Sequence, residues 1–438
     1  MSQDNSLQSS NSNLVPFSQK VAFGIGMLAN QMFPAALGIF MVILVQGLGM
    51  SPVLWALIFF IPKLIDAVTD PLMGYISDHT NSRWGKRRPY VFVGAIISGL
   101  SFMMMWQLYA TNTEMYNFYY FLFWACVFWI GMTIFGVPYV AMGYEMSSDF
   151  HERTRIMAVA QWIGQWAWVI APWFWIILYD PSWFESATEG ARTLSIWVAG
   201  ICMSLALVPA IFCTFTNTAE DSNQSAANDG TLMDSVRDFG SGIMTTLRNR
   251  AFRKVCLATF LVFNAFQVIA AFSWFIIVYY MNAGDPVAAG VWPTLFGSVG
   301  ALFTCFLVIP VVNWCAQTYG KLNTFIASQS VSLLGYILLW WGFSPEDPWM
   351  MFIPLPLFAF GIGGLFTIMM SMTADICDMD ELETGERREG TFGAIYWWMV
   401  KFGAAVAGAG SGLILSFIGF DPIPTLSGIW NSIICIPG

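Results

Sequence analysis

The chain has 438 residues, of which 57% are hydrophobic and only 10% are charged, whereas soluble globular proteins have roughly 45–50% and about 25%. This composition excludes an ordinary water-soluble protein. The net charge of −9 and the scatter of the basic residues over several loops argue against a nucleic-acid partner. A membrane protein is expected if the apolar residues come in blocks of about 20, the length that crosses about 30 Å of hydrocarbon.

Apolar blocks of that length follow one another along the whole chain. After a polar N-terminal tail, residues 1–19, the first six are 23–45, 53–76, 90–109, 118–142, 156–179 and 194–215. Beyond a polar stretch come five more, namely 255–281, 290–312, 322–343, 350–372 and 392–418. A twelfth block begins at Leu426 and reaches only Gly438, so we expect the last helix to be truncated.

The order of the blocks predicts two halves joined by a linker. The N-terminal bundle of six helices covers residues 20–215, the linker 216–254, and the C-terminal bundle with its incomplete last helix 255–438. A short similarity between the halves, which we call the echo, supports an internal repeat. Trp84-Gly85-Lys86 follows the second span, and Tyr319-Gly320-Lys321 follows the eighth.

The distribution of lysine and arginine predicts the orientation. In short loops these residues favour the cytoplasmic side. Nearly all of them lie in the even-numbered loops, and Arg192 is the exception in the opposite set. We therefore expect a multi-pass protein of the inner (plasma) membrane with a cytoplasmic N-terminus and a cytoplasmic linker.

Three ionisable residues lie within the second span. Lys63, Asp66 and Asp70 are spaced by three and four residues, which places them on one helical face, and Lys401 is the charge inside the eleventh span. Charged groups are costly in a membrane and usually face a cavity or a partner. Two close carboxylates suit a hard cation such as sodium or a proton. A structural alternative remains, in which the charges only neutralise one another and Lys401 reaches towards an interface.

Three segments resemble one transporter family. They are the stretch from Asp66 to Asp78 with Ser82 to Pro89 after it, the stretch from Ala374 to Phe392, and the run from Glu152 to Arg155. These segments are similar to motifs of the glycoside-pentoside-hexuronide:cation symporters, the melibiose permease branch of the major facilitator superfamily. The resemblance implies an all-α membrane protein with the major facilitator fold, two six-helix bundles, a central cavity and alternating access.

The resemblance also implies a division of roles. It assigns Asp66 and Asp70 to the cation site, with Lys63 and Lys401 as their charge partners. The family's charged sugar ligands are replaced here by Gln31, Gly136 and Ala160. What remains for contact with a solute is a set of neutral amides and aromatic rings, namely Asn30, Gln31, Tyr139, Gln161, Gln165, Trp166, Asn264, Gln267 and Trp398. Such a cavity suits hydroxyl-rich, uncharged glycosides, although any of these amides could instead join two helices.

Charged residues near the loops form a second predicted group. We expect a cytoplasmic gate whose ion pairs break when the cavity opens inward, built from Asp78, Arg83, Lys86, Arg87, Arg88, Asp149, Asp375 and Asp378. The simpler interpretation is that the basic members only set the topology.

The expected function is secondary active transport, in which sodium or a proton is carried together with a carbohydrate or glycoside. The alternative is cation-coupled symport of a lysolipid or another amphiphile. Nothing resembling a nucleophile–base constellation or a soluble catalytic domain is present, so no enzyme is expected. We expect no cofactor, and no metal other than a transported sodium ion. The expected partners are the small solute and the lipid bilayer.

Overall fold

The computed structural model describes residues 15–80, 82–147, 150–213, 248–384 and 389–418. Within these ranges every regular element is a helix. The N-terminal half contains α1 (Phe17–Phe40, extended by Val42–Gln46), α2 (Pro52–His79), α3 (Arg88–Met105), α4 (Glu114–Glu145), α5 (Phe150–Ile170, extended by Phe174–Tyr179) and α6 (Ala187–Phe212). The C-terminal half contains α7 (Arg250–Phe275), α8 (Trp292–Phe303, continued by Ile309–Tyr319), α9 (Lys321–Gly342), α10 (Leu355–Gly364, continued by Met370–Thr384) and α11 (Glu389–Phe417).

Ten of these helices are long and apolar enough to cross a membrane by length and composition. The exception among the described helices is α5, where Gln161 and Gln165 interrupt the apolar residues. Residues 250–254, which the sequence assigned to the linker, instead form the first turn of α7, and the side chain of Asn249 caps that turn. The predicted twelfth span and most of the linker lie outside the described residues.

The two halves share a close contact between their third and fourth helices. A Cβ atom on Gly94 of α3 would lie 2.3 Å from the backbone nitrogen of Phe135 in α4. In the C-terminal half, a Cβ atom on Gly335 of α9 would lie 2.4 Å from the backbone nitrogen of Phe358 in α10. Small residues let two helix backbones approach in this way. The third and fourth helices of each half are therefore in backbone contact.

We expect Gly94→Val to abolish most of the folded protein, because the α4 backbone beside it cannot move away as a flexible side chain could. Overpacking typically costs about 1–3 kcal/mol, and more where only backbone can yield. The monodisperse fraction on size-exclusion chromatography in detergent measures the effect. The matched control is Gly200→Val in α6, where a Cβ atom would meet nothing within 4 Å. Equal yields of the two variants would contradict the close α3–α4 contact.

The echo noted in the sequence has a common backbone conformation. Gly85 precedes α3 with φ +88°, and Gly320 precedes α9 with φ +85°. This left-handed region favours glycine because it has no Cβ atom. The two glycines therefore share a left-handed φ, although Gly320 directly precedes α9 and Gly85 lies three residues before the start of α3.

The two ends of the helix bundle differ in charge and in contacts. We call the end that carries Lys20, Arg87 and Lys321 the basic end, and the opposite one the far end. The two halves meet along α2 and α11 and along α5 and α8. At the far end, Thr294 of α8 donates to the carbonyl of Pro172 (2.8 Å) and Ser298 to that of Val169 (2.7 Å).

Candidate functional site

A cluster of charged side chains lies where α2, α4 and α11 meet. The α2 helix presents Lys63, Asp66 and Asp70 on successive turns, and α11 contributes Lys401 from the other half of the molecule. Asp66 is almost fully buried, with 2% of its surface exposed. The structure thus brings together all four ionisable residues that the sequence selected.

Lys401 is the link between the halves. Its Nζ atom lies 3.1 Å from Oδ2 of Asp66 and also contacts Oδ2 of Asp70. Lys63 is less closely paired, since its Nζ atom lies 3.6 Å from Oδ2 of Asp66. The same ammonium group sits over the Trp129 ring of α4, 3.0 Å from the ring centroid, an arrangement that the ring quadrupole stabilises.

Thr133 of α4 completes the cluster. Its hydroxyl oxygen lies 2.9 Å from Oδ1 of Asp66 and 2.9 Å from Oδ1 of Asp70, and 3.3 Å from the Thr69 hydroxyl. A hydroxyl group has only one proton to donate, so Thr133 cannot satisfy two ionised carboxylates at once. The other Oδ1 atom can then accept a proton of its own or take part in ligating a cation.

Sequence reasoning missed Thr133 because a single threonine in an apolar helix forms no pattern. Its role becomes visible only when α4 is placed against α2. Together the five side chains provide two acids, two ammonium groups and a neutral oxygen. This set can exchange one bound positive charge for another without changing the helices that hold it.

A second polar group lies between α1 and α5. The indole N–H of Trp168 donates to Oε1 of Gln31 (2.9 Å), and the amide of Gln31 approaches Oε1 of Gln161 (3.4 Å). Gln161 is exposed, and so is 45% of Trp168. The predicted cavity residues Gln31 and Gln161 are therefore adjacent, and Trp168 is an additional member that the sequence did not single out.

The other predicted cavity residues lie on α1, α4, α5, α7 and α11. Gln165 and Trp166 line a narrow gap between α5 and α8, facing Leu302 and Cys305. Asn30 of α1 makes a weak contact with a methionine sulfur on its own helix.

The two α7 candidates and the α11 candidate are all half-buried. Gln267 and Asn264 lie on α7, and the amide nitrogen of Asn264 is buried without a hydrogen-bond partner. Trp398 stacks on Phe402, with ring centroids 5.2 Å apart.

Tyr139 requires a correction, because it is fully buried and cannot line a cavity. Its hydroxyl group donates to the backbone carbonyl of Phe23, and its ring stacks between those of Phe23 (4.5 Å) and Phe135 (5.4 Å). The phenol is therefore satisfied within the core of the N-terminal half.

Two of the predicted gate residues have described contacts with residues outside the predicted set. Arg87 contacts Glu145 at the end of α4 (3.0 Å) and Ser77 at the end of α2 (2.5 Å). Asp375 in α10 contacts Lys321 at the start of α9, 2.6 Å away. These two ion pairs each join the start of the third helix of a half to the fourth helix of the same half.

The other predicted gate residues are less fully described. Arg83 and Asp378 are exposed, and Lys86 and Arg88 are half-buried. The side chains of Asp78 and Asp149 lie outside the described part of the chain.

Glu152 belongs to the family-like run from Glu152 to Arg155. It links the start of α1 to the start of α5. Its fully buried carboxylate lies 2.7 Å from Nζ of Lys20 and accepts a hydrogen bond from the backbone N–H of Val15 (3.0 Å). Burial raises the pKa of this carboxyl group, but the Lys20 ammonium and the Val15 amide hold it below its ordinary value. The motif therefore has a packing role at the basic end.

The far end is held by a side-chain latch, which we define as Gln46, Tyr179 and Tyr279. The amide of Gln46 donates to the hydroxyl of Tyr279 in the C-terminal half, and its carbonyl accepts from Tyr179 (both 2.9 Å). Each latch residue lies at or just beyond an irregularity in its helix. These are the break at Met41, the 3₁₀ turn Ala171–Trp173 and the π-helical turn Ile276–Tyr280.

These features define the chain as a multi-pass membrane transporter of the major facilitator type. The family model described as MFS/sugar transport protein matches residues 22–433. The chain belongs to this family, which confirms the resemblance seen in the sequence motifs and the prediction that the chain is not an enzyme.

Individual proteins agree with this assignment. The chain is 23% identical to the isoprimeverose transporter of Lactiplantibacillus pentosus, over 93% of this chain and 82% of the relative. It is 24% identical to the glucuronide carrier protein homolog of Escherichia coli (strain K12), over 95% and 88%. The crystal structure of the nucleoside transporter NupG superposes with a TM-score of 0.65 at 15% identity, covering 92% of this chain and 93% of that chain. The structural match confirms the predicted fold.

Proposed function

We propose that this transporter couples the movement of a carbohydrate or glycoside to that of a sodium ion or proton by alternating access. The observation that carries the proposal is the contact of Thr133 with both Asp66 and Asp70 across from Lys401. The single hydroxyl proton serves only one carboxylate at a time, so a cation that displaces Lys401 would find carboxylate and hydroxyl oxygens to bind. A bound proton would sit on one carboxyl group, whereas sodium would take the three oxygens as ligands.

The rest of the proposed pathway favours an uncharged solute. Gln31, Gln161 and Trp168 meet beside the space between the halves and supply amide groups and an aromatic surface. The sugar names of the relatives support a carbohydrate, and the lysolipid alternative is not favoured.

Uptake into proteoliposomes tests the proposal. A panel of radiolabelled neutral glycosides is offered with a sodium gradient, with a proton gradient and with neither. We expect accumulation of at least one glycoside above its outside concentration with only one of the two gradients. Accumulation that is independent of both gradients would refute cation coupling, and no uptake of any glycoside would refute the substrate class.

The state described here has its far end closed, and the positive-inside rule would make that end the outer one. We expect Gln46→Leu to favour opening of the far end, because the variant keeps the side-chain size but loses both latch hydrogen bonds. At about 1 kcal/mol for each bond, the equilibrium shifts by on the order of tenfold.

The distance between spin labels at Asp180 and Val287, in a background without the native cysteines, measures the opening. We expect a larger population of long distances in Gln46→Leu and no change in Gln317→Leu, a control at the basic end of α8. An unchanged distance distribution in Gln46→Leu would show that the latch does not hold the far end.

A further inference from the structure

The surface formed by α1 and α5, here called the wall, indicates which solutes the transporter selects. This inference rests on the proposed function. On α5, residues Ala160, Gly164 and Ala167 are buried towards α1, whereas Trp162 and Val169 face α8. At 3.6 residues per turn, Gln161 and Trp168 share the face between these two contacts. The opposite face is apolar and carries Ile163 and Ile170, so Gln161 and Trp168 lie on the polar face of α5.

The direction of each hydrogen bond in this wall follows from the indole group. A tryptophan N–H can only donate, so the atom of Gln31 that lies 2.9 Å away must be the carbonyl oxygen. The amide nitrogen of Gln31 then points towards Gln161, whose carbonyl oxygen accepts at 3.4 Å. The polarity of both glutamines is therefore set by Trp168, and the amide N–H groups of Gln161 are left for the cavity.

Gly164 makes this arrangement sterically possible. It lies on α5 between Gln161 and Trp168, and a Cβ atom there would come within 2.6 Å of the amide nitrogen of Gln31. Its absence allows the side chain of Gln31 to lie flat against α5 and to reach both partners. The three residues thus form one surface, with an exposed indole ring beside a row of amide donors.

We propose that Trp168 is a specificity-determining residue that selects neutral pyranosides in two ways. Its exposed ring packs against the apolar C–H face of the sugar, as aromatic surfaces do with flat apolar groups. Its N–H group acts as a positioning group, because it orients Gln31 and, through Gln31, turns the N–H groups of Gln161 towards the lone pairs of the sugar hydroxyls. The wall offers no charge to a carboxylate or an ammonium on the solute.

Binding of methyl β-D-glucoside, methyl β-D-galactoside, methyl β-D-xyloside and methyl β-D-glucuronide to the purified full chain tests this inference by calorimetry. Trp168→Phe keeps a ring but removes the N–H group, and we expect it to weaken binding of the neutral pyranosides on the order of tenfold. Trp168→Ala removes both functions and should weaken binding further. Trp173→Phe, on the 3₁₀ turn of the same helix, is the matched control and should bind as the wild type does.

A double mutant separates positioning from a general structural effect. If the N–H group acts through Gln31, Trp168→Phe should have no further effect in a Gln31→Ala background, whereas Trp168→Ala should still weaken binding. Additive effects of Trp168→Phe and Gln31→Ala would overturn the positioning role.

The remaining outcomes distinguish the inference from the proposed function. If Trp168→Ala binds a neutral pyranoside as tightly as the wild type does, the inference is overturned but the proposed function is not. Equally tight wild-type binding of the glucuronide would overturn the selection of neutral sugars. Binding of none of these glycosides to the wild-type protein would overturn the proposed substrate class together with the inference.

Discussion

Replacing Asp70 by asparagine is expected to abolish accumulation of solute against its gradient while solute binding persists. The single amide oxygen can still accept from Thr133 or from Lys401, and the side chain keeps its size, so the packing between α2, α4 and α11 is kept. It has no negative charge, however, and the added cation loses one of its two counter-charges. Binding of the cation then no longer favours the solute-loaded state, and the coupling free energy is lost.

Gradient-driven uptake and solute binding must be measured in the same preparation of this variant. We expect uptake to fall to the level set by equilibration, with solute affinity changed by less than about tenfold. Asp347→Asn is the matched control, because asparagine caps a helix about as well as aspartate does and Asp347 caps the 3₁₀ turn before α10. Accumulation by Asp70→Asn at the wild-type rate would show that the cation site lies elsewhere.

Replacing Lys401 by methionine is expected to raise the affinity for the coupling cation and to slow net uptake. In the described state the Lys401 ammonium already occupies the space beside Asp66 and Asp70, so an incoming cation must compete with it. Without this competitor the cation binds more tightly. The empty carrier, however, is left with two acids balanced only by the more distant Lys63, and buried uncompensated charge opposes its return across the membrane.

Exchange of labelled for unlabelled solute distinguishes these two effects. Exchange does not require the empty carrier to return, so we expect it to be preserved in Lys401→Met while net uptake falls at least tenfold. The cation concentration that gives half-maximal solute binding should decrease. Lys63→Met is the comparison, because it leaves Lys401 in contact with both acids. An unchanged cation dependence in Lys401→Met would contradict a role for this lysine in the cation site.

The site residues that could be predicted from the sequence are the charged residues that lie within apolar segments. Asp66, Asp70 and Lys401 are charges inside apolar helices, and such charges require partners wherever the helices lie. Their mutual contact across two halves of the molecule agrees with the family resemblance. The spans were equally evident, because the length and composition of a membrane helix are set by the bilayer.

Neutral polar residues could not be assigned in the same way. Thr133, Trp168 and Gln46 are compatible with a core, a cavity or a lipid-facing surface, and only the neighbouring helices decide between these. Tyr139 was predicted to line the cavity, but it is buried in the core, where its hydroxyl group donates to a backbone carbonyl. The contact of Arg87 with Glu145 was also unpredictable, because Glu145 is far from it in sequence and becomes adjacent only through the packing of α3 on α4.

The close helix contacts inside each half and the latch hydrogen bonds at the far end differ in what it costs to separate them. Within a half, Gly94 and Gly335 bring backbone against backbone, so separating these helices would expose surfaces that no water molecule or side chain can replace. Between the halves, the latch consists of hydroxyl and amide groups whose hydrogen bonds water can remake once the far end is wet. Water is therefore itself a participant in the transport cycle: its entry at the far end offsets the loss of each latch bond, while the packed interior of each half stays dry.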